Sequence, residues 1–418
     1  MNFKKIVAGF YAAYTLYVFL LIGTTTMDFL NTSLALIFMW VNYAFFLLGY
    51  NLKKRSNLSY AKSKREIWML KTNKLVLLTI AGTSLIFSVA VVNYYTGQTP
   101  TSVIENLTNN VSLYYEYQNY FQEQQRNVFT ITKIPFILMI FIVKIILLYS
   151  YIVFFIKKEK TSLFEKIYLL LITCSFIYIG VGRGTSFEFF ELLILIIFIL
   201  FSTKKKSGNL MNVKSLVIGL LLSSLAVYIF ISGINARGVE FDPSIIRADV
   251  NYDPQGWLPT ISSSLAVIVF RLYAYFGFGF FYISIYLTET WFASINNFFM
   301  GLFPWGYELI LGNSVQDIMG RLVDVGVKWH PDFSVLINDL GYVGMLMICL
   351  FIGLFCGYSA RFDEKTPIVE LTNYVILLQM ISLPVGNFLF TSSANQLIVF
   401  SLLIYWIWKI FINRRFVI

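Results

Sequence analysis

The chain has 418 residues, of which 58% are hydrophobic, 18% aromatic and only 13% charged, with 32 Lys and Arg against 22 Asp and Glu. Soluble domains carry about 25% charged residues, so this composition excludes a cytosolic enzyme, a disordered chain and a nucleic-acid binder. The expectation is an all-α, polytopic membrane bundle forming one domain over 1–418, in which the +10 formal charge sets topology.

A bilayer core of about 30 Å takes some 20 apolar residues per helix. Runs that meet this are 6–23, 30–50, 75–95, 134–156, 167–181, 187–202, 215–233, 338–358, 368–389 and 396–412. The first is too long for a signal-peptide core and is read as a span. Two further segments, 263–287 and 292–311, are apolar enough to enter the bilayer. The count is therefore ten or twelve. Arg271 inside 263–287 argues against a plain lipid-facing span, because a mid-bilayer Arg costs at least about 2.5–3.5 kcal/mol.

Of the 32 cationic residues, 23 fall on one side of this path: at Lys4–Lys5, in the 53–74 loop, after 156, after 202, and at the inner ends of the last spans. The positive-inside rule makes that side cytoplasmic, with both termini inside and an even number of spans. The opposite side carries long loops at about 96–133 and 234–337, richer in acids. The cysteines, Cys174, Cys349 and Cys356, lie in apolar stretches and define no disulfide framework. The cytoplasmic loops hold no Gly-rich phosphate loop, so any chemistry is expected at the outer face.

Three groups of residues could carry it. Gly180-Val181-Gly182-Arg183-Gly184-Thr185-Ser186 joins the fifth and sixth spans at the outer boundary. Glycines allow close backbone approach, a guanidinium grips phosphate bidentately, and the next helix adds its N-terminal dipole. Arg183 would serve equally as an interfacial residue reaching lipid phosphate, with Glu188 and Glu191 complementing the helix dipole. The second group is Arg237, Arg247, Arg271, Arg321 and Lys328, where Arg predominates as anion recognition would favour. Solvated loop ion pairs are the bland alternative.

The third is the sole histidine, His330, in Trp329-His330-Pro331-Asp332, near Asp339. It could act as general base with Asp332 or Asp339 as orienter, or be an ordinary loop residue. One His without Cys builds no usual zinc site, so neither metal nor cofactor is expected. Lys144 is the chief charge expected within the spans. Aromatics near the outer boundary, including Tyr114, Tyr117, Trp257 and Trp329, fit an interfacial belt and would also stack on sugar rings.

These residues resemble those of the bacterial O-antigen and oligosaccharide repeat-unit polymerases (the Wzy type) and the related O-antigen ligases. The likeness covers the whole chain: ten to twelve spans, a Gly-Arg-Gly turn opening a mid-chain span, and a large outer loop ending in a small-residue-rich span, Asp339-Leu340-Gly341-Tyr342-Val343-Gly344. His330 followed by ten residues, Gly341 and Gly344 is similar to the His-x10-Gly-x-x-Gly pattern, and Arg183-x3-Phe187 to Arg-x3-Leu. Phe187 replaces the Leu, Pro331 replaces a small residue, and no Arg-x10-Gly stands in the outer loops.

The resemblance implies a GT-C-like membrane glycosyltransferase in the bacterial cytoplasmic membrane. It implies an undecaprenyl-diphosphate-linked oligosaccharide as donor, with membrane lipid around it and a chain-length regulator and flippase as partners. Arg183 and Arg271 would bind diphosphate, helped by Arg237 and Arg247. His330 with Asp332 or Asp339 would act on the acceptor. A ligase using the same donor, and a lipid-linked oligosaccharide flippase, are the alternatives. A flippase calls for charge among its spans, whereas this sequence is expected to keep most of it at the outer boundary.

Overall fold

A computed structural model describes residues 3–54, 74–108, 112–124, 129–156, 162–185, 187–204, 250–277, 280–281, 283, 295–313, 315–318, 331–359, 366–386 and 392–415. The regular elements among them are helices. The first eight are α1 (Phe3–Ile22), α2 (Phe29–Lys54), α3 (Lys74–Thr96), α4 (Pro100–Thr108), α5 (Leu113–Glu123), α6 (Ile134–Ile156), α7 (Leu163–Arg183) and α8 (Phe187–Lys204). After them come α9 (Trp257–Ile261), α10 (Ser263–Leu272), α11 (Ile295–Leu302), α12 (Pro304–Leu311), α13 (Val315–Ile318), α14 (Asp332–Ser359), α15 (Pro367–Ser382) and α16 (Ser393–Arg415).

Six stretches among the described residues are long and apolar enough to cross a membrane: Lys4–Ile22, Phe29–Leu52, Lys74–Thr96, Ile131–Phe154, Leu163–Arg183 and Asp332–Ser359. The protein is a multi-pass membrane protein. Helix α8 is 18 residues long and, as far as Phe201, apolar apart from Glu188 and Glu191. The expected 215–233 span lies outside the described residues. Of the two ambiguous segments, α10 passes at Tyr273 into a π-helical turn, Tyr273–Gly277. The described part of the other is divided at Phe303 and Pro304 into α11 and α12, eight residues each. Eight residues rise only about 12 Å, so neither crosses a bilayer alone.

Local signals explain the boundaries. Ser162 and Glu165 form a reciprocal capping box at the start of α7, four residues ahead of the expected span. Its other end closes on Gly184, in the left-handed region at φ 62°.

Tyrosines and glycines set the packing. The hydroxyls of Tyr11 and Tyr14 in α1 donate to Met380 O (3.0 Å) and Pro384 O (3.1 Å), so α1 and α15 run the same way. Helices α6 and α7 run oppositely, tied by Ser150–Tyr168 (2.8 Å) and Tyr151–Thr173 (2.7 Å). Helix α14 follows α2 in the same direction, with backbones nearly touching. A Cβ on Gly353 would press on Phe46 O and stand 2.9 Å from Phe46 C.

Helix α14 is not straight. Gly341 has φ 72° and ψ 174°, a combination essentially reserved for glycine. The ring of Phe38 meets Tyr342 at 5.3 Å and also Phe333 at 6.3 Å. Nine residues of straight helix would separate their backbones by about 13.5 Å, and the non-helical backbone at Gly341 kinks the helix between them. The half before the break, Asp332–Asp339, is buried throughout. Its entry is tied to the turn after α15, where Asp332 N–H donates to Gly386 O and Phe333 N–H to Leu383 O, both at 3.1 Å.

Candidate charged site where α7 meets α8

The Gly-Arg-Gly turn is the best-defined predicted site. Arg183 ends α7 with its side chain 20% exposed, and its Nε donates to Ile179 O at 3.1 Å. One terminal nitrogen is ion-paired with Glu188 Oε1 in the first turn of α8. The other carboxylate oxygen accepts from Thr185 Oγ1 at 3.0 Å. Tyr117 of α5 hydrogen-bonds the same guanidinium. Burial pushes the Tyr117 phenol above its ordinary pKa, and the adjacent positive charge of Arg183 offsets part of that rise.

The sequence suggested that the glycines open a path for a ligand. In the structure each faces another part of the chain. A Cβ on Gly180 would stand 2.6 Å from Glu188 Oε2, and one on Gly182 would stand 2.5 Å from Val92 Cγ1 of α3. One on Gly184 would press on Tyr114 N of α5 and lie 2.9 Å from Tyr114 Cα. The glycines bring α3, α5, α7 and α8 together around Arg183.

One turn further along α8, Glu191 is ion-paired with Lys144 of α6, and Lys144 Nζ also donates to Asn395 Oδ1 of α16. Lys144 and Glu191 are almost fully buried, at 4% and 3% side-chain exposure. Their contact is close, and Glu191 Oε2 has no hydrogen-bond partner among the described residues. Tyr374 of α15 donates to the Glu191 carbonyl at 3.2 Å. In the sequence Lys144 and Glu191 stand as separate charges in two apolar runs. Nothing local pairs residues 47 positions apart, although two charges in apolar runs are themselves a signal that each has a partner.

Asp332 was expected on an outer loop beside His330. It is instead wholly buried at the start of α14. Its Oδ2 accepts from Gln379 Nε2 (2.8 Å) and lies 3.4 Å from Ser382 Oγ, while Oδ1 has no partner among the described residues. Asp339 is buried as well and accepts from Asn338 Nδ2 at 3.0 Å. With Glu191 and Glu370 also buried, charge inside the bundle extends well beyond Lys144, contrary to expectation. The sequence treated the polar start of α14 as loop, but folding at Gly341 carries it inside.

Arg271 ends α10, partly buried. That helix packs on α1 through Tyr17, whose hydroxyl reaches Val269 O at 3.5 Å, and the turn after it meets α8 where the Phe276 and Phe190 rings lie 5.7 Å apart. His330, Arg237 and Arg247, with Arg321 and Lys328, lie outside the described residues. Among the described residues no group of three His, Cys, Asp or Glu could hold a metal ion. The molecule is thus a multi-pass helical membrane protein with two ion pairs on the opening turns of one helix. Comparison with protein-family models, curated proteins and solved structures finds no match to this chain.

Proposed function

We propose that this protein is a membrane glycosyltransferase that polymerises undecaprenyl-diphosphate-linked oligosaccharide repeat units at the outer face of a bacterial cytoplasmic membrane. The observation that supports it is Arg183: a partly exposed guanidinium at the end of an apolar helix, on a turn built from glycines and flanked by Tyr117. In this reading the donor brings its own leaving group. The new glycosidic bond forms to an acceptor hydroxyl as the anomeric C–O bond to diphosphate breaks. Arg183 stabilises the charge gathering on the departing diphosphate, and Glu188 keeps its guanidinium oriented. Arg271, Arg237 and Arg247 assist on the donor side, while His330 receives the acceptor proton with Asp332 or Asp339 orienting it. The division of α11 from α12 favours ten spans over twelve.

The test is gel analysis of lipid-linked and surface glycan from a deletion strain complemented with wild type or Arg183→Ala. The proposal expects single repeat units to survive and the ladder to vanish in both the deletion and the Arg183→Ala strain. Full-length polymer stalled on the carrier would assign a ligase instead.

A second reading, a lipid-linked oligosaccharide flippase, gains from the buried charges Lys144, Glu191 and Asp332, since ionisable groups within a bundle often mark a transport path. Repeat units trapped on the cytoplasmic face of the deletion strain would establish it in place of the polymerase.

A further inference from the structure

The polymerase reading leaves the Lys144–Glu191–Asn395 network unused, although it is the most deeply buried charge pair among the described residues. Stability does not account for it. Removing a buried ion pair in favour of apolar side chains of similar size is often neutral or stabilising, whereas removing one partner is strongly destabilising.

Its placement offers an account. Glu188 and Glu191 are three residues apart, so they lie on one face of α8. One is held by Arg183 of α7 and the other by Lys144 of α6. Helix α8 is otherwise apolar as far as Phe201, and Leu195, Phe198 and Ile199 are buried on the same side as the two glutamates. The two ion pairs are the directional contacts that select one rotation. The Tyr374 bond to the Glu191 carbonyl holds the same turn from α15, and the Phe187 ring lies 5.7 Å from Lys144 Nζ. Helices α6, α7 and α15 thus converge on the opening turns of α8, with α16 joined through Asn395.

We propose that Lys144 is a positioning residue: through Glu191 and Asn395 it fixes the rotation of α8 and so keeps Glu188 against Arg183. This rests on the proposed function only for its consequence in glycan transfer. The positioning itself is a statement about the fold.

The experiment uses the full-length protein and the double variant Lys144→Met/Glu191→Leu, which removes both charges together and so avoids stranding one. Glu188→Gln is made alone and in that background. The double variant is expected to fold and to unfold cooperatively in detergent, with Tm lowered about as far as by Glu188→Gln alone because both lose the Glu188–Arg183 contact, and to lose about 100-fold in polymer formation, as a small misplacement remote from the chemistry can cause. Lys144→Arg, which keeps the charge, should recover most of the activity.

In the thermal cycle, Glu188→Gln should lower Tm in the wild-type background and have little effect in the double variant, because Glu188 has already left Arg183. Full additivity of the two Tm shifts, or wild-type polymer from a folded double variant, would overturn the proposal. The thermal cycle needs no glycan. It decides the positioning role even if Arg183→Ala leaves the ladder intact, a result that removes the polymerase reading alone.

Discussion

Gly184→Ala tests the packing around Arg183 most sharply, because Gly312 supplies an internal control. Both glycines end helices in the left-handed region, at φ 62° and φ 72°. An alanine at either position therefore carries nearly the same backbone strain, about 1–2 kcal/mol. Their surroundings differ completely. A Cβ on Gly312 would meet nothing within 4 Å, whereas one on Gly184 would press on Tyr114 N and lie 2.9 Å from Tyr114 Cα and 3.0 Å from Leu113 C. Ordinary contact begins near 3.4 Å, so clearing Tyr114 N requires α5 to retreat by roughly an ångström. These are backbone atoms, which cannot rotate away as a side chain would. Overpacking of this kind adds about 1–3 kcal/mol. Gly184→Ala should thus cost about 2–5 kcal/mol against about 1–2 kcal/mol for Gly312→Ala. Thermal unfolding of the two purified variants in the same detergent measures the difference. Equal losses would refute the close approach of α5 to the end of α7.

Other substitutions probe separate parts of the argument. Gly353→Leu should abolish accumulation of folded protein in membranes, because its Cβ would press on the Phe46 carbonyl of α2; normal levels would mean that α2 and α14 do not meet there. Asp332→Asn can still accept from Gln379 and should cost under about 1 kcal/mol, while Asp332→Leu strands that donor at about 1–3 kcal/mol. Chemical denaturation of both variants checks the contrast, and a reversed order would contradict the hydrogen bond. Gly180→Ala should crowd the Glu188 carboxylate away from Arg183 and shorten the glycan ladder while leaving protein in the membrane. His330→Ala should leave single repeat units and no ladder, and wild-type chain lengths would remove it from the acceptor side.

The spans were legible in the sequence because lipid is a uniform solvent. Backbone polar groups must be satisfied within a helix there, and side chains must be apolar, so length and hydropathy alone mark α1, α2, α3, α6 and α7. The place of Arg183 between glycines at the end of an apolar run was legible too, whereas its ion pair with Glu188 was not. Hydropathy says nothing about which helix lies beside which, because every apolar helix looks alike from lipid. Tertiary structure alone decided that the glycines of the turn serve α3, α5 and α8. It paired Lys144 with Glu191 and laid α14 along α2, some 300 residues away in the chain. It also carried Asp332 and Asp339 inside through the backbone break at Gly341. Those outcomes depend on which surfaces approach closely enough for backbones to touch and charges to meet, a property of pairs of helices that no single segment encodes.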